Sequence, residues 1–174
     1  AGAQGKVQPV RIRVNSGVHA HTHEYLATAR EDQKFGIAIS DVPSLVKKIR
    51  SHSHLKFLGL HSHIGSQIFV VDGFIAAAER LLDLHSLLLA DGEVPELNLG
   101  GGFGIAYMAN DRPMPLEEMA SRIATAVKAK CDQLDISVPK LAFEPGRVFA
   151  GPAGVTLYSV VTIKDVQVSD AGAG

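Results

Sequence analysis

Apolar and polar residues alternate along Val10-Arg11-Ile12-Arg13-Val14 with the two-residue period of a half-buried strand. Phe57-Leu58-Gly59-Leu60-His61, Leu97-Asn98-Leu99 and Lys140-Leu141-Ala142-Phe143-Glu144 are short apolar runs that predict three more strands. Between them the period changes to that of a helix. Ser40-Asp41-Val42-Pro43 reads as a helix entry, with Ser or Asp to cap and proline in the first turn, and this helix runs to about Arg50. A longer helix from about Gly73 to Ala90 aligns Phe74, Ala77, Ala78, Leu81, Leu82 and Leu88, and Gly92 lies where a left-handed cap belongs. Leu116 to about Lys130 is helical again, with Met119, Ile123, Ala126 and Val127 as its apolar stripe. Residues 155–168, rich in Val and Thr, read as further strand. The predicted order is β-α-β-α-β-α-β-β. The first four strands recur roughly every forty residues, the rhythm of βα units that build a parallel sheet. A complete (β/α)8 barrel takes about 250 residues. The pattern therefore fits either a small open sheet or about half a barrel from a longer polypeptide.

Composition narrows the function classes. The chain has 174 residues, 46% apolar and 20% charged, with a net charge of −1. That balance suits a packed core and gives no electrostatic case for nucleic acid or an anionic membrane surface as partner. The apolar stretch around Leu81–Ala90 is interrupted by Asp83, His85 and Ser86, so it does not span a bilayer. Residues 1–5 and 169–174 are small, polar and glycine-rich and read as linker, without a signal-peptide pattern. A single cysteine, Cys131, excludes an internal disulfide and a cysteine-based zinc site. The expectation is a cytosolic chain.

In parallel βα folds ligands sit at the C-terminal strand ends, and four polar clusters fall there. The first comprises Asn15, His19-Ala20-His21-Thr22-His23 and Lys34-Phe35-Gly36; the second is His61-Ser62-His63-Ile64-Gly65-Ser66-Gln67. The third is Gly100-Gly101-Gly102-Phe103-Gly104 and the fourth Glu144-Pro145-Gly146-Arg147. Consecutive glycines let backbone N–H groups converge on a phosphate, or simply make a tight turn. Ser66 and Arg147 supply a hydroxyl and a guanidinium suited to the same anion. No Lys-Ser or Lys-Thr follows at Walker spacing, which argues against an NTPase. His61 and His63, like His19, His21 and His23, alternate as ligands of a metal-dependent hydrolase would, but such a site also wants a carboxylate and usually a third histidine strand, and the last strand here ends in Glu-Pro-Gly-Arg, whose cation is unfavourable beside a metal. Glu144 and Arg147 read either as a surface ion pair or as a fixed carboxylate facing a protonated ring nitrogen beside a phosphate loop. Cys131 reads as a noncatalytic thiol inside a helix, and Lys34 as structural. A non-catalytic scaffold remains a third reading of the chain.

Together these segments resemble the diaminopimelate decarboxylases, within the pyridoxal-phosphate enzymes of the alanine-racemase and ornithine-decarboxylase barrel type. Arg11-Ile12-Arg13-Val14-Asn15, His21-Thr22-His23-Glu24-Tyr25, Lys34-Phe35-Gly36, His61 to Ile68, Leu99 to Gly104 and Glu144 to Arg147 carry the resemblance, in order, across roughly residues 8–166. It implies the latter part of a (β/α)8 barrel with parallel strands over residues 6–150, and the first strands of a β domain over 151–168. It implies pyridoxal 5'-phosphate as cofactor, meso-2,6-diaminopimelate as substrate, L-lysine as product, and a cytoplasmic homodimer for the full-length enzyme. His63 would stack on the pyridine face. Ser66, Gly100, Gly101 and Gly102 would hold the phosphate, with Pro145 and Gly146 alongside. Glu144 would pair with the ring nitrogen, Arg147 would lie near the phosphate and the substrate's distal carboxylate, and Arg13 would support them from behind. The family often has Thr-Gly and Ser-Lys-Phe-Gly where this chain has Thr28-Ala29 and Gln33-Lys34-Phe35-Gly36. The family's Schiff-base lysine belongs to an earlier barrel strand, before residue 1, and its Cys-Glu-Ser segment follows residue 174.

Overall fold

The computed structural model describes residues 1–18 and 35–165. Five parallel strands form one sheet: β1 (Gln8–Asn15), β2 (Ile37–Ala38), β3 (Leu55–His61), β4 (Glu96–Asn98) and β5 (Lys140–Ala142). Their spatial order is β2-β1-β3-β4-β5. The helices are α1 (Val42–Ser51), α2 (Asp72–Leu89), α3 (Leu116–Leu134) and the short α4 (Gly146–Ala150).

The four strands expected from alternation are present. Two-residue β2 is an addition, too short to leave a periodic signal; it pairs with the end of β1 through Val14 and Asn15. Residues 155–165 are exposed and form no strand, which corrects the expectation of further strand there. Val, Thr and Tyr favour a pleated surface only when a neighbouring strand takes up their backbone groups, and among the described residues none does. α1 carries Pro43 in its first turn, but neither Ser40 nor Asp41 makes a side-chain cap; Ser44 Oγ instead donates to the Asp41 carbonyl at 2.9 Å. α3 runs one turn beyond Lys130 and stops at Asp135, whose φ of 54° is left-handed.

Helices α1 to α3 bury their apolar stripes against one face of the sheet. Ile12, Val14, Leu60 and Leu97 meet Val46, Phe74, Leu81, Leu82, Met119 and Ile123 in one core. Alternation then places the residues between them on the opposite face. The register aligns Arg11 with Gly59, Glu96 and Lys140 in one row, and Arg13 with His61, Asn98 and Ala142 in the next. Arg11 reaches across Gly59 to Glu96, both Nε and Nη2 donating to Oε1 at 3.1 and 2.6 Å. Gly59 is what lets the strands approach there: a Cβ would overlap the Glu96 carbonyl. One face of the sheet is thus a packing surface and the other a polar one.

The α2–α3 interface also buries Cys131 and His85. Burial pushes the Cys131 thiol up, as expected of an inert thiol. His85 has no hydrogen-bond partner at Nδ1 among the described residues, and burial lowers its pKa below the usual 6.5. His61 is lowered too, chiefly by burial. Groups depressed in this way are protonated more readily in the unfolded chain. Stability is therefore full above about pH 6.5 and falls as the pH drops through that value toward the folded-state pKa, by up to about 1.4 kcal/mol per unit for each group. His85→Leu should flatten the stability profile between about pH 7 and 5 in chemical denaturation; an unchanged slope would exclude His85 as a source of acid sensitivity.

Candidate active site

The second, third and fourth polar clusters come together at the C-terminal ends of β3, β4 and β5. They do so because the parallel ladder continues past the strands: Ser62 N–H donates to Asn98 O, Leu99 N–H to Ala142 O and Glu144 N–H to Gly100 O, at 2.8 to 3.0 Å. Asn15 of the first cluster closes its own turn, accepting from Gly17 N–H. His19, His21, His23, Thr28, Ala29, Gln33 and Lys34 lie outside the described residues.

The glycine loop is zipped to the Ser66 loop. Ile68 N–H donates to Gly102 O and Gly104 N–H to Ile68 O, at 2.9 and 3.0 Å. Gln67, at φ 59°, turns its side-chain amide to both backbone groups of Ile105, at 2.8 and 3.0 Å. A Cβ at Gly100, Gly101 or Gly102 would overlap the carbonyls of Ser62, Glu144 or Gly65 respectively. The glycines are therefore required by backbone packing within the protein, and the loop is held rigid by its neighbours.

Arg147, at the start of α4, lies beside this loop. Its Nη2 donates to Ser66 Oγ at 3.0 Å and its Nη1 to Tyr107 Oη at 2.7 Å. It directs neither group to Glu144, so the surface ion pair weighed from sequence does not form. Glu144 is instead held by Asn98, whose Nδ2 donates to Oε1 at 3.0 Å, while Oε2 stands 3.6 Å from His61 Nε2. Burial, the largest influence on His61, outweighs the opposing pull of Glu144 and keeps its ring neutral; Arg13 and His63 add to the lowering. His63 accepts from Gly101 N–H at Nδ1, 3.3 Å away, so a neutral ring carries its hydrogen on Nε2. The Arg13 guanidinium lies 5.2 Å from the Phe35 ring centroid, in the same sheet row as His61.

The arrangement is thus a hydroxyl, a guanidinium and a glycine loop, together with a carboxylate whose Oε2 has His61 Nε2 at 3.6 Å and no hydrogen bond among the described residues. It suits an elongated ligand bearing an anion at one end and a basic nitrogen at the other. Among the described residues no three His, Cys, Asp or Glu side chains are placed to share an ion. Sequence reasoning missed Asn98 and Tyr107 as site residues and gave Gln67, a member of the second cluster, no role. Asn98 left a trace, as the polar residue between Leu97 and Leu99 in the predicted strand; no spacing distinguishes Gln67 or Tyr107 in their loops.

Residues 2–151 match the family model for the pyridoxal-dependent decarboxylases, over its pyridoxal-binding domain. The chain belongs to this decarboxylase family. Among curated relatives, diaminopimelate decarboxylase of Corynebacterium efficiens is 47% identical over 98% of this chain and 38% of its own length. That of Mycobacterium tuberculosis is 44% identical over 97% of this chain and 40% of its own. The chain thus spans about two fifths of the curated relatives it matches. The solved diaminopimelate decarboxylase of M. jannaschii superposes with a TM-score of 0.71 at 28% identity, covering 84% of this chain and 34% of that one. The Helicobacter pylori enzyme complexed with L-lysine gives 0.70 at 26%, covering 84% and 35%. The parallel sheet and its helices are therefore part of the decarboxylase barrel, and membership in this family sets aside the metal-dependent hydrolase.

Proposed function

We propose that this segment forms the phosphate- and ring-nitrogen-binding part of an enzyme that decarboxylates meso-2,6-diaminopimelate to L-lysine with pyridoxal 5'-phosphate. The observation that carries the reading is the Arg147 hydrogen bond to Ser66 beside the glycine loop, with the Glu144 carboxylate held by Asn98 among the same strand ends. The chemistry of these donors fits the cofactor. Ser66, Arg147 and the Gly100–Gly102 loop would hold its phosphate; Gly100 N–H and Gly101 N–H already donate to Asn98 Oδ1 and His63 Nδ1, so Gly102 N–H would be the loop amide turned to it, and Pro145-Gly146 would start α4 alongside. His63 would lie against the pyridine face. Glu144 Oε2 would accept from the protonated ring nitrogen and stabilise that proton. When bound, the cofactor supplies the electron-accepting ring that takes up the electron pair left as carbon dioxide departs. The protein contributes position and charge. Arg147 would also face the distal carboxylate, selecting a substrate with acid groups at both ends. Arg13 would keep its charge near His61 and support the surface from behind. The relatives' names support this substrate, and the same reading makes the whole enzyme a cytoplasmic homodimer, with residues 151–168 leading into its β domain.

The phosphate end can be tested directly. Ser66→Ala and Arg147→Lys should each weaken binding of pyridoxamine 5'-phosphate by about tenfold, the equivalent of one charge-assisted hydrogen bond. Lysine keeps the charge but loses the fork that serves two hydroxyls. Calorimetric affinities equal to the unmodified chain's would remove both residues from the phosphate site.

A further inference from the structure

The direction of the Glu144 carboxylate has a physical cause in the residues around it. Its side chain is 56% exposed, and a carboxylate so exposed has no packing to choose its rotamer. What chooses it is Asn98, the last residue of β4, itself 5% exposed. Asn98 Oδ1 accepts from Gly100 N–H at 2.8 Å, and Asn98 Nδ2 donates to Glu144 Oε1 at 3.0 Å. Glu144 N–H in turn donates to Gly100 O at 2.8 Å. The three residues close a ring of hydrogen bonds joining the glycine loop to the carboxylate.

The orientation of the amide follows from its partners. A backbone N–H can only donate and an ionised carboxylate can only accept, so a single flip of the Asn98 side chain satisfies both. Asparagine suits the position because it offers an acceptor and a donor from one short planar group. By occupying Oε1, it leaves Oε2 as the oxygen free for a ligand. The neighbouring His61 does not compete as a cation, since burial keeps it neutral.

We propose that Asn98 is a positioning residue for the decarboxylase. It aims Glu144 at the cofactor's ring nitrogen and ties that aim to the glycine loop that holds the phosphate. The proposal rests on the reading that Glu144 serves the ring nitrogen. It gives the separation between the two ends of the cofactor site a physical basis in a single side chain.

Two substitutions separate the two hydrogen bonds. Asn98→Ser keeps an oxygen that can accept from Gly100 N–H, as serine does in turns of this kind, but is too short to reach Glu144. Asn98→Leu removes both bonds at similar volume. In the cofactor-free 174-residue chain, the Asn98 side-chain amide signals in a nitrogen–proton NMR spectrum should move in Glu144→Gln, because the acceptor loses its charge. Signals that stay in place would overturn the contact. With pyridoxamine 5'-phosphate as probe, Asn98→Ser should weaken binding by about tenfold while the affinity for inorganic phosphate stays within about twofold. Asn98→Leu should weaken both. The double variant Asn98→Ser with Glu144→Gln should bind no worse than Glu144→Gln alone, since one residue acts through the other.

Additive losses would mean that Asn98 acts by itself and would overturn the proposal. So would a loss in Glu144→Gln with none in Asn98→Ser, and the ring-nitrogen reading would then survive. If Glu144→Gln leaves both the affinity and the nitrogen NMR signal of the bound pyridine unchanged, the ring-nitrogen reading itself falls and the proposal with it.

Discussion

Glu144→Gln in the longer enzyme should lower the decarboxylation rate by about two to three orders of magnitude, the usual loss when one fixed electrostatic stabiliser is removed. Cofactor affinity should fall by about tenfold at most. The asymmetry follows from the geometry. Glutamine can keep an oxygen toward Asn98 Nδ2, so the hydrogen-bonded ring of Asn98, Gly100 and Glu144 survives. The position of Oε2 then carries an NH2 group, which sets a donor against the donor of a protonated ring nitrogen. The proton is no longer favoured, and the ring accepts electrons poorly. Ser66 and Arg147, proposed to hold the phosphate, keep their hydrogen bond. Turnover and equilibrium dialysis on the same preparation measure the two effects. Turnover within about threefold of the unmodified enzyme would remove Glu144 from the ring nitrogen.

Gly101→Ala should have the largest effect on the fold, a loss of about 3 kcal/mol or more, at the upper end of what overpacking costs. The added Cβ would overlap the Glu144 carbonyl oxygen and stand 3.0 Å from its carbon, and neither backbone atom can move as a side chain can. The site would be lost with the packing, because the atom that must shift belongs to Glu144, the residue proposed to face the ring nitrogen. Gly154, with nothing within 4 Å of its Cβ position, is the control. Gly154→Ala should change stability by about 0.5 kcal/mol or less. Denaturant titration of the two variants decides the matter, and equal stabilities would show that the glycine loop is less tightly held than described.

The strand-end clusters were legible in the sequence because they interrupt a strong period. A parallel βα rhythm predicts where the C-terminal strand ends fall, and His61, Gly100 and Glu144 stand out there as polar or small residues directly after apolar runs. The helices were legible for the same reason, with bounds uncertain by a turn at α3, where Asp135 ends the helix in a conformation more usual for glycine. The reason for the glycines was not legible. Three glycines in a row suit a phosphate equally well whether they are spared for the ligand or for the protein, and only the opposing carbonyls show that the protein needs them. Asn98 was hidden by its place inside a predicted strand, where alternation identifies its face and not its partners. Residues 155–165 misled because composition reports how well a segment would suit a sheet, and says nothing of whether a strand lies beside it.

The longer polypeptide containing this segment, supplied with pyridoxal 5'-phosphate and carboxyl-labelled meso-2,6-diaminopimelate, should release labelled carbon dioxide and L-lysine in equal amounts, and Glu144→Gln should nearly abolish that release. Release from ornithine or arginine in preference to diaminopimelate, or no release from diaminopimelate at all, would contradict the proposed function.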